Sequence, residues 1–343
     1  MAVPPGNGRR CQLPPSVSDL PSRGVLGETD NGGVMSGIVM VTSVGVCMAM
    51  LYVVLAVVVA HLFTTPRRVQ PAAHDGTIYE RVQFSARGES LQLVASYRRA
   101  PNATGVVILA HGRDACRGEE LRGTTVSLVL ELASRGLSVI MIDLRGHGES
   151  DRARLTFGHR ERRDILGAVD FLLNRGYEPG RIGVLGASMG GVSAIAAAAD
   201  EHAIGALVTD SAFASLHEVL SAQFTRLTHL PTFLLSGALL AARVLTGEDL
   251  LRDPPAQNML RLRGRPTLVI HARNDPFVPV QHARVLAMAG EGTMWITSGS
   301  RHLCSFGMAG REYLDNVGGF FAQHLCADVL PTVAMMHPMA SVA

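Results

Sequence analysis

The chain has 343 residues, 47% hydrophobic and 17% charged, with a formal net charge of +2. Globular domains carry about 25% charged residues, so the balance leans apolar, and a charge this close to zero excludes the basic footprint of a nucleic-acid binder. The five cysteines (Cys11, Cys47, Cys116, Cys304 and Cys326) are odd in number and widely spaced, and no Cys-x-x-Cys pair occurs. That argues against a disulfide scaffold or a zinc site.

Residues 1–33 are rich in Pro and Gly and carry no apolar period, and they read as a disordered segment. No charged residue occurs over residues 34–60, a run that opens on Val34 and closes on Ala60. About 20 apolar residues suffice to cross a bilayer as a helix, which satisfies its own backbone hydrogen bonds there. A cleaved signal peptide has an apolar core of only about 7–15 residues near the start, so the run is expected to be a retained single-pass anchor over residues 34–63. Arg67 and Arg68 follow it closely, and the positive-inside rule then sets the C-terminal domain on the cytoplasmic side, with Arg9 and Arg10 pulling the other way. Asn102-Ala103-Thr104 is a glycosylation sequon, relevant only in a eukaryotic lumen.

From about residue 75 the pattern alternates strand and helix. Residues 78–86 and 91–97 alternate like a hairpin around Arg87-Gly88-Glu89-Ser90. Short apolar runs at 106–110, 137–142, 182–185, 206–208 and 267–270 predict strands buried on both faces, with a last strand at 294–297. Helices are predicted over 121–135 and 162–174. Strands alternating with helices imply an α/β domain over 75–328: a mainly parallel sheet covered on both faces. A C-terminal tail, 329–343, follows. The stretch 211–263 is longer than an ordinary connection. Its apolar part, 230–245, contains Phe233, Leu234, Leu235, Leu239 and Leu240. It can be a small helical cap over the site or a core helix on the sheet.

The strongest chemical signal is Gly186-Ala187-Ser188-Met189-Gly190, followed by Gly191, between the strand at 182–185 and an Ala-rich helix. This is the nucleophile-elbow pattern in its strand–turn–helix setting. The serine must sit on a very tight turn, and glycines two before and two after relieve the crowding. The helix that follows turns its positive end towards the reacting centre. A serine hydroxyl needs a base, and the base needs a carboxylate to orient it. In the order Ser…Asp…His, Asp275 follows the strand at 267–270 and His302 follows the last strand. Asp210, at the end of the preceding strand, competes as the acid, or else caps the next helix or braces the site. The oxyanion requires backbone donors. Met189, directly after the serine, is one; Arg113, with Gly112 beside it in the loop after the strand at 106–110, is the other. His111 in that loop reads as structural.

These motifs resemble the α/β-hydrolase superfamily over about residues 78–326. Asp143-Leu144-Arg145-Gly146-His147-Gly148-Glu149-Ser150 is similar to the superfamily's loop after its fourth strand. With Asp210-Ser211-Ala212-Phe213-Ala214-Ser215 it brings the chain nearest to BEM46-like and bacterial membrane-anchored hydrolases, close to the serine-aminopeptidase-like group. The resemblance implies hydrolysis of carboxylic esters, thioesters or amides without a cofactor. One departure is the absence of the His-Gly-Gly-Gly run of many lipases; Arg113-Asp114-Ala115-Cys116 stands there instead.

The expectation is therefore a membrane-anchored serine esterase or thioesterase acting on small-molecule or lipid esters. A peptidase or amidase on the same residues is the alternative, with Glu119 or Glu120 available to hold a peptide amino terminus. A third reading is an inactive anchored binding protein, against which the intact Ser188, Asp275 and His302 speak. Cys116 and Cys304 both fall in loops expected at the site, and whether they pair is left open. No His-Glu-x-x-His motif, Cys/His cluster or Gly-Lys-Ser/Thr loop occurs.

Overall fold

The computed structural model describes residues 1–2, 31–71, 78–121 and 125–326. The segment 3–30, with Cys11, and the tail from 327 lie outside the described residues, so the readings made there stay expectations. Two units are distinguished, residues 1–49 and residues 50–343. The first contains the beginning of helix α1 (Asn31–Thr64); the helix's last turns, from Met50 onwards, belong to the second unit.

The second unit is built on eight strands: β1 (Glu80–Ser85), β2 (Gln92–Arg98), β3 (Gly105–Ala110), β4 (Leu137–Ile142), β5 (Ile182–Ala187), β6 (Ile204–Asp210), β7 (Thr267–Ala272) and β8 (Thr293–Thr297). They form one sheet in the order β1-β2-β4-β3-β5-β6-β7-β8. Pairing is antiparallel on either side of β2 and parallel from β4 onwards. This is the α/β architecture that the alternating apolar runs imply.

The central strands β3, β4, β5 and β7 are buried at every position, because helices cover both faces. Along β3, Val106 and Ile108 enter the core on one face and Val107 and Leu109 the core on the other, as the strand period of two requires. Helices α2 (Thr125–Ser134) and α10 (Arg311–Leu325) pack on one side. Helices α3 (Glu161–Asn174), α4 (Met189–Asp200) and α8 (Gln281–Gly290) pack on the other. Between β6 and β7 lie α5 (Leu216–Thr228), α6 (Leu234–Thr246) and α7 (Pro255–Leu260); the short α9 (Ser305–Ala309) precedes α10. Helix α6 packs on α5. Helix α2 falls within the stretch 121–135 read as a helix, of which residues 122–124 lie outside the described residues.

Helix α1 differs most from expectation. It runs to Thr64, and from Met50 on it is not simply a greasy cylinder. Ala56, Val59, Ala60 and Thr64 are buried, at the i, i+3, i+4 and i+8 spacing of one helix face. Tyr52 stacks on Phe233 (centroids 6.1 Å apart), and Phe63 meets Phe224 edge-on at 6.2 Å. A Cβ at Gly237 would lie 2.6 Å from the Tyr52 hydroxyl, so only glycine lets α6 come this close. The carbonyl of Thr64 accepts from the Leu155 N–H at 2.7 Å. Arg68, after the helix, donates from Nε and Nη2 to the carbonyls of Gly148 and Ser150, each at 2.6 Å, and so serves the fold as well as carrying charge.

The loop after β4 is anchored by a buried ion pair. The Arg145 guanidinium and backbone N–H all reach the Asp164 carboxylate at 2.7–3.2 Å, and Glu89 lies 3.0 Å from the same guanidinium. Taking away one partner of such a pair strands a buried charge. Asp164→Ala is expected to lower stability by about 3 kcal/mol, read as a shifted urea midpoint with unchanged slope; a loss below about 1 kcal/mol would mean that Glu89 alone suffices.

Candidate active site

Ser188 stands between β5 and α4 with φ 51° and ψ −113°, a conformation L-residues rarely hold. A Cβ at Gly190 would run into the carbonyl oxygens of Ala110 and His111, and one at Gly186 into the Gly190 carbonyl. Gly190 is thus demanded by the closeness of the elbow to the end of β3, and Gly186 by the tightness of the turn itself. The Ser188 N–H donates to the Asp210 carbonyl at 2.8 Å, tying the turn to the end of β6.

Loops after β7 and β8 bring two further predicted residues to this serine. His302 Nε2 lies 2.8 Å from Ser188 Oγ, and His302 Nδ1 lies 2.7 Å from Asp275 Oδ2. With a carboxylate on its far side, Nδ1 carries the proton and Nε2 is left to accept from the hydroxyl. The other Asp275 oxygen, Oδ1, accepts from the Phe277 and Val278 N–H groups at 2.8 and 3.0 Å. Burial alone pushes the Asp275 carboxyl up, but the bond from His302 and these N–H groups outweigh it and hold it below the usual carboxylate range. Phe277 packs against the His302 ring, centroids 5.2 Å apart.

The expected oxyanion loop lies beside the serine: a Cβ on Gly112 would be 3.4 Å from Ser188 Cβ. Met189 opens α4, where the first N–H groups have no intrahelical acceptor. The Arg113 side chain reaches to α1, where its Nη2 donates to the Leu62 carbonyl in the last turns of the helix at 2.9 Å. Two histidines brace this loop. His111 Nδ1 donates to the Gly112 carbonyl at 2.7 Å, while its Nε2 accepts from the Leu144 N–H at 3.1 Å. His147 Nε2 accepts from the Asp114 N–H at 3.2 Å, and the two rings meet at 4.8 Å. Burial, with His147 nearby, pushes His111 down to about 3, and burial also lowers His147. Behind Asp275, His271 donates to the Val278 carbonyl at 2.8 Å and burial lowers it too; burial does the same to His282, whose Nδ1 accepts from the Ala214 N–H at 3.3 Å.

Asp210 is a brace and not a cap. Ser215 caps α5, accepting from the Glu218 N–H at 3.3 Å. The Asp210 carboxylate is buried and accepts from Ser211 Oγ (2.9 Å), Ser305 Oγ (3.2 Å) and the Tyr313 hydroxyl (3.0 Å). Ser211 Oγ in turn accepts from the Leu303 N–H at 3.4 Å, next to His302. Ser211 stands in the Asp210–Ser215 motif without any role assigned to it there, and Ser305 and Tyr313 carry no local motif that sequence reading could use. Nor did it find Arg117, whose guanidinium pairs with Asp143 and whose N–H donates to Asp143 at 2.8 Å.

Ser188 and His302 open into a cleft of about 1230 Å³, which Glu119 and Glu120 also line. Glu120 is already engaged: it accepts from the Gly118 N–H at 3.0 Å and Thr125 Oγ1 at 2.9 Å, and burial pushes it up to about 7. Cys116 and Cys304 are both free thiols, and burial pushes Cys116 up to about 12.

A family described as serine aminopeptidase, S33, matches residues 101–262. The uncharacterized protein YqkD of Bacillus subtilis (strain 168) is 27% identical over 232 residues, covering 66% of this chain and 74% of that one. The uncharacterized protein YfhR of Salmonella typhi is 26% identical over 264 residues, covering 69% and 82%. Among solved structures, the Pyrococcus furiosus esterase Pf2001 superposes with a TM-score of 0.63 at 22% identity, covering 76% of this chain and all of that one. The esterase domain of a Rhodothermus marinus protein does so with a TM-score of 0.53 at 18% identity, covering 72% and 100%. Identities this low show a common fold.

Burial raises the Asp210 carboxyl to about 6, against the pull of its hydroxyl partners. A carboxyl raised on folding holds its proton in the folded state after the unfolded chain has lost it, so it lowers stability as pH rises from about 4 to 6. Asp210→Asn removes this titration. The stability of wild type minus that of the variant is expected to fall by about 3 kcal/mol between pH 4 and 6 and then level off, as followed by urea unfolding across pH; a flat difference would show that Asp210 ionises normally.

Proposed function

We propose that this chain, which has the α/β-hydrolase fold, is a membrane-anchored serine hydrolase that cleaves carboxylic esters or thioesters through Ser188, His302 and Asp275. The observation that carries this is the unbroken hydrogen-bond line from Ser188 Oγ through His302 to Asp275.

In this reading His302 Nε2 takes the Ser188 proton as Oγ attacks the carbonyl carbon. The Met189 and Arg113 N–H groups, with Gly112 allowing close approach, receive the oxyanion. The proton passes from His302 to the leaving oxygen or sulfur, which departs as alcohol or thiol. Water then enters, gives a proton to His302, and its oxygen attacks the acyl carbon. The proton returns to Ser188 and the carboxylic acid is released. Asp275 keeps the imidazole in the tautomer that faces the serine and stabilises its charged form.

The family match keeps a second reading alive, a peptidase or amidase on the same residues. With Glu120 held by Thr125 and Asp114 by the Arg67 N–H, Glu119 is the cleft carboxylate this reading would assign to a peptide amino terminus. Ester substrates need no such contact and are preferred here.

Anchoring is supported by length. Residues 31–49 of α1 come to about 28 Å at 1.5 Å per residue, close to the hydrocarbon thickness of a bilayer. A signal peptidase cutting after the helix would remove Val59 and Ala60 from the core of the second unit, which favours a retained helix. Arg67 and Arg68 favour the cytoplasmic side for the catalytic unit.

A fluorophosphonate probe is expected to label wild type and not Ser188→Ala, with ester turnover falling at least about a thousandfold in that variant and on the order of 10⁴-fold in Asp275→Asn. A folded wild type that neither labels nor hydrolyses any ester sinks the enzymatic reading, and turnover of aminoacyl anilides above p-nitrophenyl esters favours the peptidase. Separately, the full chain should stay with the membrane pellet after an alkaline carbonate wash; recovery in the supernatant, or a mature N-terminus within residues 31–64, would remove the anchor.

A further inference from the structure

The catalytic cleft has an unexpected wall. Leu55, Val58, Val59 and Leu62 of α1 line it together with Ser188 and His302. They fall at i, i+3, i+4 and i+7, one continuous stripe of the helix. Leu227 and Leu230, at the end of α5 and just beyond it, line the same cleft. The wall is held to the catalytic machinery directly, because the Arg113 side chain grips the Leu62 carbonyl while its backbone belongs to the loop beside Ser188. Pockets for drug-sized ligands occupy about 300–1,000 Å³, and this cleft, at about 1230 Å³, has room for far more than a short acyl group.

A second apolar surface adjoins α1. Phe233, just before α6, and Leu240 and Val244 within it recur at i, i+7 and i+11, and they are 66%, 65% and 79% exposed. Phe233 stacks on Tyr52 of α1. An apolar stripe left open beside a long apolar helix is suited to a lipid interface. By chain length alone, Leu55 follows the first unit's last residue, Ala49, by only six positions.

Resting on the serine-hydrolase reading above, we infer that the last turns of α1 form the acyl-chain wall of the active site, and that the substrate is a long-chain acyl ester or thioester drawn from the lipid leaflet. The helix read from the sequence as a tether is thereby also a determinant of substrate choice. The chain lies along Leu55, Val58 and Leu62, while its carbonyl carbon reaches Ser188 Oγ. The bond that forms is Oγ–C, the bond that breaks is the ester or thioester link, and the His302 proton leaves with the alcohol or thiol.

The test uses the full chain in phosphatidylcholine vesicles, with p-nitrophenyl butyrate and laurate compared per labelled active site. Leu62 is 58% exposed, so Leu62→Trp and Leu62→Asp alter the wall at a site tolerant of change. Each buried methylene is worth about a factor of four. Displacing two or three should therefore lower the laurate-to-butyrate ratio of kcat/KM about 15- to 60-fold. Dividing by butyrate cancels any change in the chemistry that both esters share, and counting labelled sites removes misfolded protein. Two variants with an unchanged ratio would overturn the acyl wall while leaving the hydrolase intact; a wild type that cleaves neither ester would instead bring down the hydrolase reading, and this inference with it. Laurate turnover should follow surface mole fraction in the vesicle, and dependence on bulk concentration alone would overturn the leaflet as source.

Discussion

Ser188 is kept at a positive φ with no glycine's freedom to make it easy. Such a backbone costs about 1–3 kcal/mol and survives only where its surroundings over-determine it. Here they do. The Asp210 carbonyl fixes its N–H, the Val192 N–H takes its carbonyl at 3.1 Å, and two glycines clear the space on either side. The hydroxyl is thereby lifted beyond the strand ends, where the loops after β7 and β8 meet it. Move the elbow by one residue and His302 would have nothing to face.

Those loops are held by bonds from beneath the site. Asp210 fastens Ser188 through its backbone and, through Ser211 and Ser305, the loop that carries His302. On the opposite flank, His111 and His147 set the loop containing Gly112 and Arg113. The Ser188 hydroxyl thus sits between two buried polar networks whose members are hydrogen-bonded, a condition under which such networks rigidify a structure instead of weakening it.

Much of this was legible beforehand. Strands buried on both faces must be apolar without interruption, so β3, β4, β5 and β7 announced themselves within two residues of their ends. Ser188 was legible because a tight turn forces glycine at fixed distances, and Asp275 and His302 because parallel strands deliver successive loops to the same edge. The place of β4 between β2 and β3 was not legible, since a crossover leaves no local mark. Neither were Ser305 and Tyr313, nor the role of Ser211, which gain meaning only when β6, α9 and α10 converge on Asp210. Helix α1 exposed a deeper ambiguity. Lipid-facing and core-facing residues are both apolar, so composition reads Val54 and Ala60 alike, although one is open and the other wholly buried. The same blindness applies to α6, apolar on its packed face and on its open one.

The buried histidines have a consequence for how the molecule meets acid. His111, His147, His271 and His282 are all held uncharged below the ordinary imidazole range, mainly by burial. The unfolded chain takes up a proton on each of them near the ordinary imidazole value while the folded frame resists it, so falling pH favours unfolding through all four. Over the same interval Asp210 gains a proton, which favours the folded state. Acid therefore works on the frame through opposed groups, the histidines against it and Asp210 for it, so the scaffold behind the serine is a place where pH acts directly on stability.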